Sequence, residues 1–156
     1  MPDEATYKFS LTSQTFRDGA PIPPQYSCKG QNVSPPLTIM NTPAEAKSLA
    51  LIMHDPDAVS GDFTHWLLWD IPASTDVLAA NSFPVGAVQG NNGTGKSGYI
   101  GPCPPAGTGT HHYIFELYAL DTNLGLQTDV NRQQLEQAME GHVLAEAKLT
   151  GLFDAS

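Results

Sequence analysis

The segment "GYIGPCPPAGTGTHHYIFELYAL", residues 98–120, constrains this chain more than any other stretch. Its first half holds glycine and proline too densely for a helix or a regular strand. Proline lacks a donor and fixes φ, while glycine loses the most freedom when it is ordered. Its second half runs on as "HHYIFELYALD" (111–121), aromatic and branched, and reads as a strand. A shaped loop leading straight into a strand is a common place to hold a ligand, because loops carry function on a rigid scaffold. The loop is therefore expected to present backbone to a bound group, with the residues opening the strand completing the site.

The rest of the chain reads mostly as strand. "LTIMN" (37–41), "SLALIMHD" (48–55) and "HWLLWDI" (65–71) are apolar runs of strand length, bounded by turn residues. "FSLTSQTF" (9–16) alternates weakly, and "PPQYSCKGQNVSPPL" (23–37) is a polar loop bracketed by prolines. Residues 72–98 read as one long irregular segment that includes "GNNGTGKSG". One stretch reads as helix, "DVNRQQLEQAMEG" (129–141), with Asp129 or Asn131 as cap and Gly141 as stop. Beyond it, "AEAKLTGLF" (145–153) alternates, placing Ala145, Ala147, Leu149, Gly151 and Phe153 on one face. The pattern predicts a mainly β fold, an antiparallel sandwich with one or two short peripheral helices. With no internal repeat and no linker, residues 1–156 read as a single domain.

Charge narrows the partners. Seven basic residues against 16 acidic ones leave a formal −9, which disfavours nucleic acid and anionic membrane surfaces. Any anion must be held by a local site against that field. No apolar run reaches the ~18 residues of a membrane span, so no integral membrane association is expected. The start, "MPDEATYKFS", has neither a basic nor an apolar leader region, which points to the cytoplasm. A leader already removed would point instead to the periplasm or outside. Cys28 and Cys103 fit no metal-ligand spacing, and no cofactor is implied. The two are either small buried residues or a disulfide joining the first loop to the Gly/Pro loop.

Groups able to carry chemistry gather at strand ends. "HDPDAVSGDFTHW" (54–66) offers His54, Asp55, Asp57, Asp62 and His65, and the second region offers His111, His112 and Tyr113. Alternation puts His111 and Tyr113 on one face with His112 on the other, and turns His54 away from Asp55. Asp55 and Asp57 share a direction if the strand continues past Pro56. Each residue has an ordinary structural role open to it: "DPD" is a turn former, and a strand tyrosine is by default core. What singles them out is their coincidence beside one Gly/Pro loop.

"DPDA" followed by "HWLLWDIP", and then "GYIGPCPPAGTGTHHYIFELYALD", resemble the two signature regions of the phosphatidylethanolamine-binding protein family. The similarity is closest to its bacterial and archaeal, Raf-kinase-inhibitor-like branch. "DGAPIPPQYSCKGQNVSPPL" and "AMEGHVLAEAKLTGLF" extend it over residues 9–153. The resemblance implies a sandwich-like fold with a small anion pocket at one end. Asp55, His65, His111 and Tyr113 would line it, with Gly101, Cys103, Pro104 and Pro105 as wall. It implies a phosphate-like small molecule or a phospholipid head group as ligand, and a protease or kinase as a protein partner. It also brings both cysteine-bearing loops near the pocket end. Three positions depart from the pattern: Val59 and Gly61 stand where many relatives have Pro and Arg, and His112 stands where Arg is usual. His54 occupies a position that is commonly acidic or small. The rim has thus lost positive charge.

The residue chemistry agrees with an anion site, since imidazoles, a phenol and backbone N–H groups are donors. Asp55 can fix a histidine tautomer or take an ammonium group. Two alternatives stand beside this non-catalytic binding reading. One is a protease or kinase inhibitor acting through its surface. The other is an enzyme, with Asp55, His65 and His111 as a metal-like set or Ser60 or Cys103 as nucleophile. Hydrolase-elbow, zincin and P-loop signatures are absent from the sequence.

Overall fold

Every residue of the strand Ser48–Asp55 is buried, which explains why "SLALIMHD" does not alternate. The computed structural model, which describes residues 8–155, places this strand deep in a sheet covered on both faces. In chain order the strands are β1 (Ser10–Thr12), β2 (Ala20–Pro21), β3 (Leu37–Met40), β4 (Ser48–Asp55) and β5 (Phe63–Pro72). They continue with β6 (Val77–Leu78), β7 (Val88–Gln89), β8 (His111–Leu120) and β9 (Val143–Phe153), with α1 (Arg132–Met139) before the last. A small sheet runs β1-β3-β6 and a large one β2-β9-β8-β4-β5-β7. Among the described residues the strand pairings are antiparallel except β2 with β9, which is parallel.

Period-two alternation divides β4 between two cores. Leu49, Leu51 and Met53 face the small sheet, where they meet Leu37, Ile39, Phe115, Leu117 and Leu149. Ala50 and Ile52 face the other way, against Leu67, Trp69, Leu135 and Met139. Each such aliphatic side chain contributes about 1.5–3 kcal/mol on burial. The helix covers the second core through Leu135 and Met139, the pair spaced for one helical face. Asn131, not Asp129, caps it: its side chain accepts from Gln134 N at 2.9 Å, and the Gln134 side chain accepts from Asn131 N at 2.9 Å. This capping box starts the helix later than expected and is worth about 1 kcal/mol.

Other expectations need adjusting. Residues 72–98 hold two short strands, β6 and β7, where a purely irregular segment was expected. A two-residue strand has no periodicity to read. The loop 23–37 contains a 3-10 turn at Pro24–Tyr26, and of 9–16 only Ser10–Thr12 is strand. The late strand alternates as expected but begins at Val143. Gly151 in it has no room for a Cβ, which would lie 2.3 Å from Ile22 Cγ1. Its bareness lets the segment carrying Phe16 and Ile22 lie on the sheet.

The sheet register contains one irregularity that positions the site. Met53 pairs with Trp66 but His54 pairs with Thr64, leaving His65 as an extra residue on β5. Strict alternation would group His65 with Leu67 and Trp69 on the helix side. The bulge turns it to the other side, where it stands 5.2 Å, centroid to centroid, from Tyr113.

Candidate functional site

At the end of the large sheet where β4 and β8 meet the Gly/Pro loop, a cavity of about 350 Å³ opens. Asp55, His65, His111, Tyr113, Gly101, Cys103, Pro104 and Pro105 all line it. Ala58, Val59, Ser60, Phe63 and Ile100 complete the lining. Of these, Val59 was singled out in the sequence only as a departure. Phe63 lies two residues before His65 and meets its ring edge-on, with centroids 5.0 Å apart. That i, i+2 spacing was the available signal, and it was missed because the strand reading began at residue 65.

The polar floor is built from strand ends. Asp55 closes β4 on the Leu49–Leu51–Met53 face, and its Oδ2 lies 2.7 Å from Nδ1 of His111 on β8. Both side chains are nearly inaccessible, at 4% and 2%. The other oxygen of Asp55 accepts the Asp57 N–H at 2.8 Å. That bond makes "DPD" a turn rather than a strand, so Asp57 does not follow Asp55 into the cavity. Tyr113 stacks on the His111 ring, and its hydroxyl is held protonated far above the usual phenol range. Burial is the main cause, followed by the adjacent Asp55 carboxylate.

Beyond His111, Nε2 lies 2.9 Å from the Thr108 hydroxyl, which donates to the Pro105 carbonyl at 2.6 Å. Thr108 lies outside the cavity lining. The series Asp55, His111, Thr108, Pro105 therefore acts as a strut from sheet to wall.

The wall is fastened along its length. Ile100 N donates to His65 O at 3.1 Å, and Cys28 N to Pro102 O at 3.0 Å. Cys28 and Cys103 are joined by a disulfide with Cα atoms 5.4 Å apart, so Cys103 is no thiol nucleophile. Gly101 has a second job beside lining the cavity. A Cβ there would sit 2.1 Å from Tyr26 O, and its N–H donates to Asn32 Oδ1 at 2.8 Å. The glycine admits the first loop, and its donor is spent inside the protein.

His65 completes the set. Its Nδ1 lies 2.6 Å from the Ile100 carbonyl oxygen, and burial lowers its pKa although that carbonyl and Asp55 pull the other way. Asp55, His65 and His111 do not form a metal set: among the described residues no group of three or more His, Cys, Asp or Glu is placed to hold a metal ion.

The family described as phosphatidylethanolamine-binding protein matches residues 12–154. The chain belongs to the phosphatidylethanolamine-binding protein family. A UPF0098 protein of Methanothermobacter thermautotrophicus is 49% identical over 149 residues, covering 92% of this chain and 97% of that one. LppC of Mycobacterium tuberculosis, named as a lipoprotein, is 45% identical over 153 residues, covering 98% of this chain and 76% of that one. Among solved structures, a phosphatidylethanolamine-binding protein homologue from Chlamydia trachomatis superposes with TM-score 0.91 at 41% identity, covering 96% and 99%. E. coli YbcL, described as a new member of the mammalian PEBP family, superposes at 0.90 with 30% identity over the same shares. No helix among the described residues is long and apolar enough to cross a membrane.

Two features of this family member stand around the cavity rather than in it. On the rim, His112 is exposed, and both its N–H and its Nδ1 engage Asp57 Oδ2, at 2.8 and 2.7 Å. Those bonds lower the Asp57 pKa. On the opposite face of the sheet, His54 is buried between two carboxylates. Its Nδ1 lies 2.8 Å from Asp62 Oδ1 and its Nε2 3.0 Å from Glu116 Oε1. Burial pulls the His54 pKa down, but the bonds to Glu116 and Asp62 outweigh it, and the net shift is upward. The bond from His54, reinforced by the Tyr118 hydroxyl, holds Glu116 at about 2 despite partial burial. Arg132 of the helix reaches Asp62 Oδ2 at 3.0 Å. The cluster ties the rim loop to the sheet and to α1. It could not be read from the sequence, because Glu116 lies 62 residues from His54.

Proposed function

We propose that this chain is a non-catalytic binding protein whose cavity takes a phosphate-like anion or a phosphorylated head group. The observation that carries the reading is convergence: eight residues chosen from two separated motifs line one small cavity, and one buried imidazole has a ring nitrogen left over. A binding role is favoured over catalysis because Cys103 is bonded, Thr108 stands behind the wall, and the His111–Asp55 pair braces the loop. Titration by NMR and calorimetry with phosphate and with phosphoethanolamine tests it. Shifts centred on His65, Tyr113 and the 100–105 wall are expected; no saturable binding of either compound overturns it.

A second reading, inhibition of a protease or kinase through the surface, draws on Val59, which is 74% exposed at the cavity mouth. Capture of a partner that persists after His111→Ala would favour the surface over the cavity. For the compartment, the Cys28–Cys103 disulfide favours an oxidising one over the cytoplasm expected from the sequence, and a relative named as a lipoprotein is in keeping with that. Thiol counting on unreduced, denatured protein from its native compartment is the check; two free thiols would restore the cytoplasmic reading.

A further inference from the structure

His65 leaves half of its hydrogen-bonding capacity unused. The ring is only 5% exposed, and Nδ1 faces a carbonyl oxygen, which can only accept, so Nδ1 carries the hydrogen. A neutral imidazole has one N–H, and Nε2 is then a lone pair. That nitrogen has no hydrogen-bond partner among the described residues, nor is it among the fully sealed polar atoms left unpaired. It is open to the cavity that the ring lines. The cavity therefore offers an acceptor at the point where the chemistry of an anion calls for a donor.

The groups around the ring do not supply the missing proton. Asp55 faces it from the end of β4, and His111 and Tyr113 face it from β8. Phe63 on β5 and Ile100, Gly101, Cys103, Pro104 and Pro105 in the wall carry no charge, nor does Ser60 on the rim. His54 acts on it from the far side of the sheet and disfavours a second positive ring. Among the described residues no lysine or arginine lines the cavity. Burial in mostly apolar walls adds to the cost of charging the ring, as its lowered pKa reflects. A dianion would enter such a space at a higher cost than a monoanion that brings its own proton.

We infer that the cavity selects a phosphoryl group in its singly protonated, monoanionic form, with the P–O–H donating to Nε2 of His65. This rests on the anion-binding reading above and narrows it to inorganic phosphate, phosphomonoesters and phosphonates. Sulfate and phosphodiesters hold no proton near neutral pH and lack the donor that the lone pair requires. A buried acceptor left unpaired discriminates strongly against the analogue without the matching hydrogen.

The experiment is a calorimetric series on the intact protein at pH 6 and pH 8, with phosphate, methyl phosphate, methylphosphonate, dimethyl phosphate and sulfate. At pH 6, phosphate and methyl phosphate are expected to bind at least about tenfold tighter than sulfate and dimethyl phosphate. Raising the pH to 8 should weaken methyl phosphate by more than about tenfold, because monoesters lose their second proton near pH 6. Methylphosphonate, which keeps its second proton to higher pH, should lose less. The ¹⁵N shift of His65 Nε2 should move to that of a lone pair receiving a hydrogen bond, and not to that of a second N–H. Sulfate binding as tightly as phosphate, with the same pH dependence, would show that the ring carries the proton; the inference would fall and the anion reading stand. Absence of binding by all five would remove both. His65→Phe keeps the ring contacts with Phe63 and Tyr113 and should erase the preference for phosphate over sulfate. A preference that survives it places the selection elsewhere.

Discussion

Replacing His54 by glutamine should lower stability by an amount that depends on pH in a specific way. Glu116 is held at about 2 against its ordinary 4.5, a gap of roughly 2.5 pH units, or about 3 kcal/mol at 1.36 kcal/mol per unit. Its side chain is 14% exposed and the Asp62 side chain 43%, so water screens part of that gain and about 1–2 kcal/mol is the expected loss. The His54 pKa lies above its ordinary 6.5, so the imidazole's share is full below about pH 6.5 and is lost as pH rises through the folded value. Glu116 gives its share above about pH 4.5 and loses it as pH falls toward 2. Both shares coexist between about pH 4.5 and 6.5. Urea unfolding of the wild type and His54→Gln across pH 4–9 should therefore give a difference that is largest near pH 5.5 and shrinks on the alkaline side. Glu116→Gln should cause a similar loss, and the double variant less than the sum. A difference that stays flat or grows with pH would refute the ion-pair account and leave only packing.

Other outcomes follow from the wall and floor. Gly101→Ala should destabilise by about 1–3 kcal/mol, because the new Cβ meets backbone at Tyr26 that cannot swing aside; an unchanged thermal midpoint would show that the first loop yields. Cys28→Ser with Cys103→Ser opens a link spanning 75 residues and should cost about 4 kcal/mol by the chain-entropy model, measured by denaturant unfolding against the oxidised, disulfide-intact wild type. Loss of less than about 1 kcal/mol would mean that the strut through Thr108 holds the wall unaided. His111→Ala should weaken phosphoethanolamine binding by about 1–3 kcal/mol, while His142→Ala, whose ring meets Asp121 near the surface, should not. Equal losses at both would place the effect in folding.

How much of this was legible depended on whether the cause was local. Strands β4 and β8 were readable because their apolar runs are long for a strand and end at turn residues. The opposition of His111 and Tyr113 to His112 followed from alternation alone, and His111 and Tyr113 are buried while His112 is exposed. The helix was readable from Leu135, Met139 and a capping residue, though two caps competed and only the capping box with Gln134 decides between them. The orientation of His65 was not legible from its own segment, since it depends on the register between β4 and β5. The His54 cluster was hidden because its partners come from the rim loop and from another strand. Gly101 stands in the cavity wall, but that its bareness also admits Tyr26, 75 positions earlier in the sequence, was not legible because the two meet only in space.

The bulge on β5 makes the cavity depend on counting as much as on chemistry. Deleting Thr64 would let His65 pair opposite His54 in regular register, and would swing the imidazole toward the helix side with its chemistry unchanged. Among related chains, then, a histidine aligned with His65 is informative only if the spacing from the strand's paired residues is also kept. A relative with that histidine and a regular register would have the right letter in the wrong layer.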